Sequence, residues 1–374
     1  QAEDGIRDFL LSLVGSEMCI RDREIAVNAR ERVRQALLCR KPDKIPKALG
    51  FFDQSLAAIA PTRPENYFDL DVRFAEFEPP DNQNDFRRYM AALPEDIHVG
   101  SHAQLRTYHE WQYHPEKGAT RPLSNIRSIA DLADFVFPNL SAPARHAGLT
   151  KQVQRWHARG LAVAGSPPHL GGELFEAAWR MRGFENFMID LIERPQLAHY
   201  LLDQLTSMLI ENALILARAG VDILLLDDDV AMPNCLMIGP KTWCEYFKPR
   251  LSKVINLARE ESKELLVFYH CDGNFTGLIP DLVDIGVNVI NPVQPDCMNA
   301  AAVKREFGDK LAMWGTVGSA RRWDWGTPDQ IRAEVQRRIQ ELGPEGLLLA
   351  PAYDIDYAPF DNIVAFVEAV EAYG

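Results

Sequence analysis

The sequence predicts an α/β fold: an eight-stranded (β/α)8 barrel of the TIM type with an N-terminal elaboration. Three observations carry that expectation. From Leu161 onward, short apolar runs alternate with amphipathic stretches at short, regular intervals. That rhythm calls for parallel strands joined by helical crossovers. The apolar runs, such as Leu265-Leu266-Val267-Phe268-Tyr269, contain no interleaved polar residues, as expected of strands covered on both faces. No Gly-x-Gly-x-x-Gly follows any of them, which favours a closed barrel over a doubly wound sheet.

Residues 1–23 stand apart. The apolar run Phe9 to Val14 is too short to span a bilayer, and the acidic Glu3, Asp4 and Asp8 before it are wrong for a secretory signal. The stretch Leu11 to Arg23 resembles a translated sequencing-adapter artefact. Residues 1–23 are therefore read as a non-native leader, and 24–374 as a single barrel domain. Ala29 to Leu38 reads as a short amphipathic helix, stopped by Lys41-Pro42-Asp43. Ala48 to Phe52 is a candidate first strand. Residues 53–150 read as an elaboration, with an exposed strand at Val72 to Phe77 and a helix at Ile129 to Phe135.

The regular part then reads as follows. Strands are expected at Leu161–Gly165, Asp222–Asp227, Leu265–Tyr269, Val287–Ile290, Leu311–Trp314 and Leu347–Ala350. Helices are expected at Phe184–Ile192, Gln196–Arg218, Pro240–Arg259, Thr276–Ile285, Ala300–Phe307, Asp329–Leu342 and Asn362–Tyr373. Gly220, Gly286, Gly308 and Gly343 follow four of these helices, as stop signals do.

Composition narrows the function classes. The chain of 374 residues is 47% hydrophobic and 25% charged, with a net charge of −13. Phosphate backbones and anionic lipid select basic surfaces, so no nucleic-acid or membrane partner is expected. Six scattered cysteines without a Cys-x-x-Cys suit a reduced, cytoplasmic protein.

Barrel chemistry gathers where strands end. Those ends read Ser166-Pro167-Pro168-His169 with Glu173 a turn later, then Asp227-Asp228-Asp229, His270-Cys271-Asp272, Asn291 to Cys297, Gly315-Thr316 and Pro351-Ala352-Tyr353-Asp354. His270, Asp227 and Asp228 are the catalytic candidates. His169, Glu173, Gln294, Tyr353 and Asp354 are the substrate- or cofactor-binding candidates. His270, Asp272, Cys271 and Cys297 supply the ligand types that zinc or another divalent metal takes. On a strand His270 and Asp272 would share a face and Cys271 would oppose them. The plainer alternatives are that His270 hydrogen-bonds a carboxylate, Cys271 packs in the core and the aspartates cap a helix.

Several of these segments resemble one family. Phe268 to Asn274, Asn291-Pro292-Val293-Gln294-Pro295, Lys304 to Gly308, Trp314-Gly315, Phe247 to Arg250, Phe175-Glu176 and Arg32-Val33 are similar to the uroporphyrinogen decarboxylase superfamily. The resemblance spans roughly residues 30–370 and implies a (β/α)8 barrel with its site at the C-terminal rim. Decarboxylases of the family carry arginines for substrate carboxylates near the N-terminus. Here Lys47 to Gln54 contains none, and Arg180, Arg182, Arg321 and Arg322 are the nearest candidates. The resemblance therefore implies the other branch, methyltransferases that move methyl groups among a methylated or methoxylated substrate, a corrinoid and a thiol or folate. It implies a small-molecule substrate, a corrinoid supplied by a partner protein and zinc or another divalent metal; a homodimer stays open. Zinc-dependent members use His-x-Cys and a later Cys; this chain has Asp272 at the second position and no Cys after Cys297. A porphyrinogen-type lyase and a non-catalytic partner of a corrinoid protein are the alternatives.

Overall fold

A computed structural model describes residues 27–49, 59, 61–78, 122–318, 326–353, 355 and 358–374. Nine strands are described: β1 Val72–Ala75, β2 Ala162–Gly165, β3 Ile223–Asp227, β4 Ala231–Met232, β5 Cys235–Leu236, β6 Leu266–His270, β7 Val289–Asn291, β8 Ala312–Val317 and β9 Leu347–Pro351. Seven form one sheet in the order β1-β2-β3-β6-β7-β8-β9, and every pairing in it is parallel. β4 and β5 are a small antiparallel hairpin. The sheet therefore follows chain order, as successive right-handed crossovers require.

The two faces of the sheet bury different sets of side chains. Phe268 and Trp314 meet edge to face, with ring centroids 5.3 Å apart. They belong to a compact cluster with Ala164, Ile223, Leu225 and Leu348. The opposite face packs Leu224, Leu226, Val267 and Tyr269 against the surrounding helices. Alternate residues thus serve alternate cores. The segment before the sheet touches both of its ends. Ala48 N–H donates to Leu349 O and Leu349 N–H to Pro46 O, each at 3.0 Å, while Asp71 N–H donates to Lys47 O at 3.3 Å. Arg32 braces this junction through Asp71 at 2.6 Å and Asp43 at 2.8 Å.

Most expected elements appear within a residue or two. The helix Pro195–Ala219 ends at Gly220, whose φ of 89° is the left-handed cap that glycine adopts without strain. Three differences have physical causes. Val72–Ala75 is no exposed strand of an elaboration but β1 of the main sheet, mostly buried. Its Arg73 is buried because the guanidinium reaches back to Leu70 O and Val72 O, at 2.6 and 3.0 Å. The expected helix Pro240–Arg259 is interrupted by a π turn at Trp243–Phe247 before resuming at Lys248–Glu261. Pro249 has no N–H to continue the regular ladder, and a widened turn accommodates it. Helices Leu149–His157 and Phe175–Arg182 were not anticipated. Residues 50–52 of the candidate first strand lie outside the described residues.

Candidate active site

Parallel register collects polar residues at one end of the sheet. Asp227, the last residue of β3, pairs with His270, the last of β6, and His270 pairs with Asn291, the last of β7. Asn291 Nδ2 donates to Trp314 O at 2.7 Å, which fixes its amide. Its Oδ1 is therefore the atom facing His270 Nδ1, 2.5 Å away. An amide oxygen only accepts, so Nδ1 must carry a proton. The other ring nitrogen then faces the carboxylates. Nε2 lies 3.9 Å from Asp227 Oδ1 and 3.7 Å from both Asp229 Oδ1 and Asp272 Oδ1. Burial disfavours charge on this imidazole, but Asp227, Asp272 and Asp229 outweigh it and raise the pKa to about 10.

The carboxylates are themselves held. Asp229 Oδ1 accepts Asp272 N–H at 2.6 Å. Asp272 Oδ1 accepts Gln294 Nε2 at 2.9 Å, and Gln294 Oε1 accepts Gly273 N–H at 2.8 Å. On the far side, His169 Nδ1 accepts Gly172 N–H at 2.8 Å, so a neutral His169 carries its proton on Nε2, 3.9 Å from Asp227 Oδ2. Glu173 accepts Asp227 N–H through Oε2. Burial first, and then Asp227, push the Glu173 carboxyl well above the usual range. Glu176 accepts Asp229 N–H at 3.2 Å and is raised to about 8, by burial more than by Asp229. Gly273, at a φ of 82°, lies so close to the β4–β5 hairpin that a Cβ would fall 2.6 Å from Met232 O.

The structure thus brings together His270, Asp227, Asp272, Gln294, His169 and Glu173. It gives other expected residues different surroundings. Asp228 is fully buried, and its carboxylate accepts the N–H groups of Phe175 and Glu176, each at 2.8 Å. It caps the helix Phe175–Arg182 from outside, and burial raises it to about 7. Cys271 is buried on the opposite face, where its Sγ accepts Val230 N–H at 3.4 Å. Cys297 Sγ sits 3.5 Å from Gln294 Oε1 and is not among the donor atoms grouped around His270. Tyr353 donates to Asp296 Oδ2 at 2.9 Å. Asp354 lies outside the described residues. Asp229, one of the three strand-end aspartates, and Asn291 join the site without being among the catalytic or binding candidates; their places follow from the turn after β3 and from register with His270.

Residues 122–373 match the family model for uroporphyrinogen decarboxylase (URO-D). The chain belongs to the uroporphyrinogen decarboxylase family. Its curated relatives include a methylcobamide:CoM methyltransferase MtaA of Methanosarcina barkeri, 28% identical over 190 residues, which are 50% of this chain and 53% of the relative. They also include the uroporphyrinogen decarboxylase of Danio rerio, 26% identical over 189 residues, 48% of each chain. The chain spans about half the length of the curated relatives it matches. A solved methyltransferase from Methanosarcina mazei aligns with a TM-score of 0.63 at 18% identity, over 92% of this chain and 99% of that one, which supports a shared fold. Among the described residues no helix is long and apolar enough to cross a membrane.

Proposed function

We propose that this chain is a methyltransferase, moving a methyl group between a small methylated or methoxylated substrate and a corrinoid or related acceptor. The observation that carries this reading is the His270 cage. Its Nε2 faces three carboxylates while Asn291 holds Nδ1–H from behind. A ligating imidazole with its second nitrogen hydrogen-bonded is the common arrangement at metal centres. Ligand atoms of Asp227, Asp229 and His270 lie within 4.8 Å of one another, so a divalent cation, zinc or another, fits them. Asp272 Oδ1, 3.7 Å from His270 Nε2, lies beside this group. When bound, such an ion would act as a Lewis acid toward the substrate heteroatom and improve it as a leaving group.

The chain's own residues prepare that step. Glu173, its carboxyl pushed up by burial, and Glu176, paired with Arg180, hold the backbone of Asp227 and Asp229. His169 places its Nε2 3.9 Å from Asp227 Oδ2 on the far side of that carboxylate. Gln294 donates to Asp272 and keeps that carboxylate oriented. Asp228 is a positioning residue, fixing the helix that carries Glu176. The site is read as the C-terminal rim of a closed (β/α)8 barrel, with Pro46–Ala48 filling the eighth strand position between β9 and β1. A corrinoid protein is the proposed partner. Free cysteines at all five described positions suit a cytoplasmic setting.

A decarboxylase reading has weaker support. Arg182 is consumed by Asp190, Leu123 O and Ser124 O, and Arg180 by Glu176. Neither is left to anchor substrate carboxylates, and Arg321 and Arg322 lie outside the described residues. The deciding experiment combines elemental analysis with incubation of the metal-loaded protein, Co(I) cobalamin and a panel of methoxylated compounds. Methylcobalamin formation is expected. No methylcobalamin across the panel, or turnover of uroporphyrinogen instead, would overturn the proposal.

A further inference from the structure

One buried polar group near the cage has no role in the scheme above. Thr316 is fully buried, and among the described residues its hydroxyl has no hydrogen-bond partner. Its backbone is left-handed, with φ at 71°. For a β-branched residue that is an outlier which persists only where the surroundings enforce it. The enforcing contact is visible next door. Gly315, at a φ of 131°, passes so close to the β7 end that a Cβ would lie 2.4 Å from Pro292 O. Thr316 N–H then donates to that same carbonyl at 2.9 Å.

Strand register says where the side chain stands. Phe268 of β6 and Trp314 of β8 touch on one face of the sheet, with β7 between their strands, and so share a layer of that face's cluster. Two residues further along each strand return to the same face. On β6 that residue is His270; on β8 Thr316 pairs in register with Ala350 of β9, a member of the same cluster. Thr316 and His270 therefore lie on the same face of the sheet, one layer beyond the Phe268–Trp314 pair.

Resting on the methyltransfer reading of this site, we infer that Thr316 is a substrate-binding residue whose hydroxyl hydrogen-bonds the heteroatom of the bound methyl donor. The ligand class is a small neutral molecule with an ether or similar oxygen. A buried hydroxyl lacking an internal partner costs stability, and it is satisfied when a ligand supplies the acceptor.

The test separates binding from folding. Thr316→Val keeps the shape and removes the hydroxyl; Thr316→Ser keeps the hydroxyl. Binding of 2-methoxyphenol to the zinc-loaded protein is measured by calorimetry, and urea midpoints are measured on the metal-free proteins. Thr316→Val is expected to bind the probe about five- to tenfold more weakly, the effect of one lost hydrogen bond. Its urea midpoint should be equal to or above that of the unsubstituted chain, and Thr316→Ser should bind within about twofold of it. Unchanged binding in Thr316→Val overturns the inference, and so does a lowered urea midpoint, which would reveal an internal partner for the hydroxyl. If the unsubstituted chain itself neither takes up zinc nor binds the probe, the methyltransfer reading fails. The urea comparison then still decides whether the hydroxyl is unsatisfied.

Discussion

Replacing Asn291 by Ala tests the cage without touching a proposed ligand. Two hydrogen bonds meet at this amide: its oxygen receives His270 Nδ1–H at 2.5 Å and its nitrogen donates to Trp314 O at 2.7 Å. Losing the first frees the imidazole to rotate and lowers its basicity as a ligand. A hydrogen bond to a group that carries charge on binding is worth about 1.5 kcal/mol at the low end, which is roughly tenfold in affinity. Zinc affinity should therefore fall about 10- to 100-fold, the range seen when such supporting residues are removed. Losing the second leaves a carbonyl without its donor, at a further cost of about 1–3 kcal/mol in folding stability.

The assay is competition for zinc against a chromophoric chelator, run beside urea denaturation of the metal-free protein. Asn291→Asp is the companion variant. It keeps an acceptor for Nδ1–H but sets a carboxylate against Trp314 O. Metal affinity should survive in Asn291→Asp while stability falls. If Asn291→Ala binds zinc as tightly as the unsubstituted chain, Nε2 is not the ligating atom and the cage reading is wrong.

Three further outcomes follow from the same geometry. His270→Ala should carry no zinc after dialysis and form no methylcobalamin; a full equivalent of zinc in elemental analysis would remove His270 from the centre. Asp228→Ala should lower folding stability by about 2–4 kcal/mol in urea, because two buried N–H groups lose their acceptor, whereas Asp272→Ala should cost metal affinity and little stability; equal stability losses would refute that division. Asp43 accepts a hydrogen bond from Arg32, which holds its carboxyl below the ordinary value against a smaller opposing effect of burial. A lowered folded value means stabilisation that is present above the unfolded value of about 4 and lost as pH falls through the folded one. Asp43→Asn should flatten the acid side of the stability–pH curve, and an unchanged curve would dismiss the pair as a contributor.

The strands of the second half were legible because both of their faces are buried, leaving no polar interruption to confuse the pattern. β1 was legible as a strand but not as a buried one, because Arg73 hides a charged group by folding it back onto its own backbone carbonyls. His270 was legible as a titratable residue at the end of such a strand. Asn291 was not, since its role depends on which strand lies beside β6, a fact of register rather than of local sequence. Asp228 illustrates the same limit. Three consecutive aspartates cannot be sorted by composition, yet the turn sends Asp227 and Asp229 toward His270 and Asp228 toward a helix start more than fifty residues away. Thr316 lies beyond sequence reasoning for another reason. A left-handed turn is signalled by Gly or Asn, and nothing marks a threonine forced into it by its neighbours.

The donor set also bears on which methyl donor the site would take. Thiol-activating members of the superfamily that the sequence resembles use cysteines beside the histidine. Here Asp272 fills that position, Cys271 is turned into the core, and Cys297 lies beside Gln294. The groups that face one another are oxygens and one imidazole nitrogen. Thiolates pass much of their charge to a bound ion and favour soft partners, whereas carboxylates favour harder ions and harder substrates. An ion held by Asp227, Asp229 and His270 would thus be suited to polarising an ether oxygen rather than to generating a thiolate. Asp272→Cys turns this into a comparison. The substitution should raise zinc affinity relative to manganese, while cleavage of a methoxylated donor falls. A variant that gains thiol methylation and also keeps full activity on the methoxylated donor would show that the oxygen-rich cage does not select the substrate.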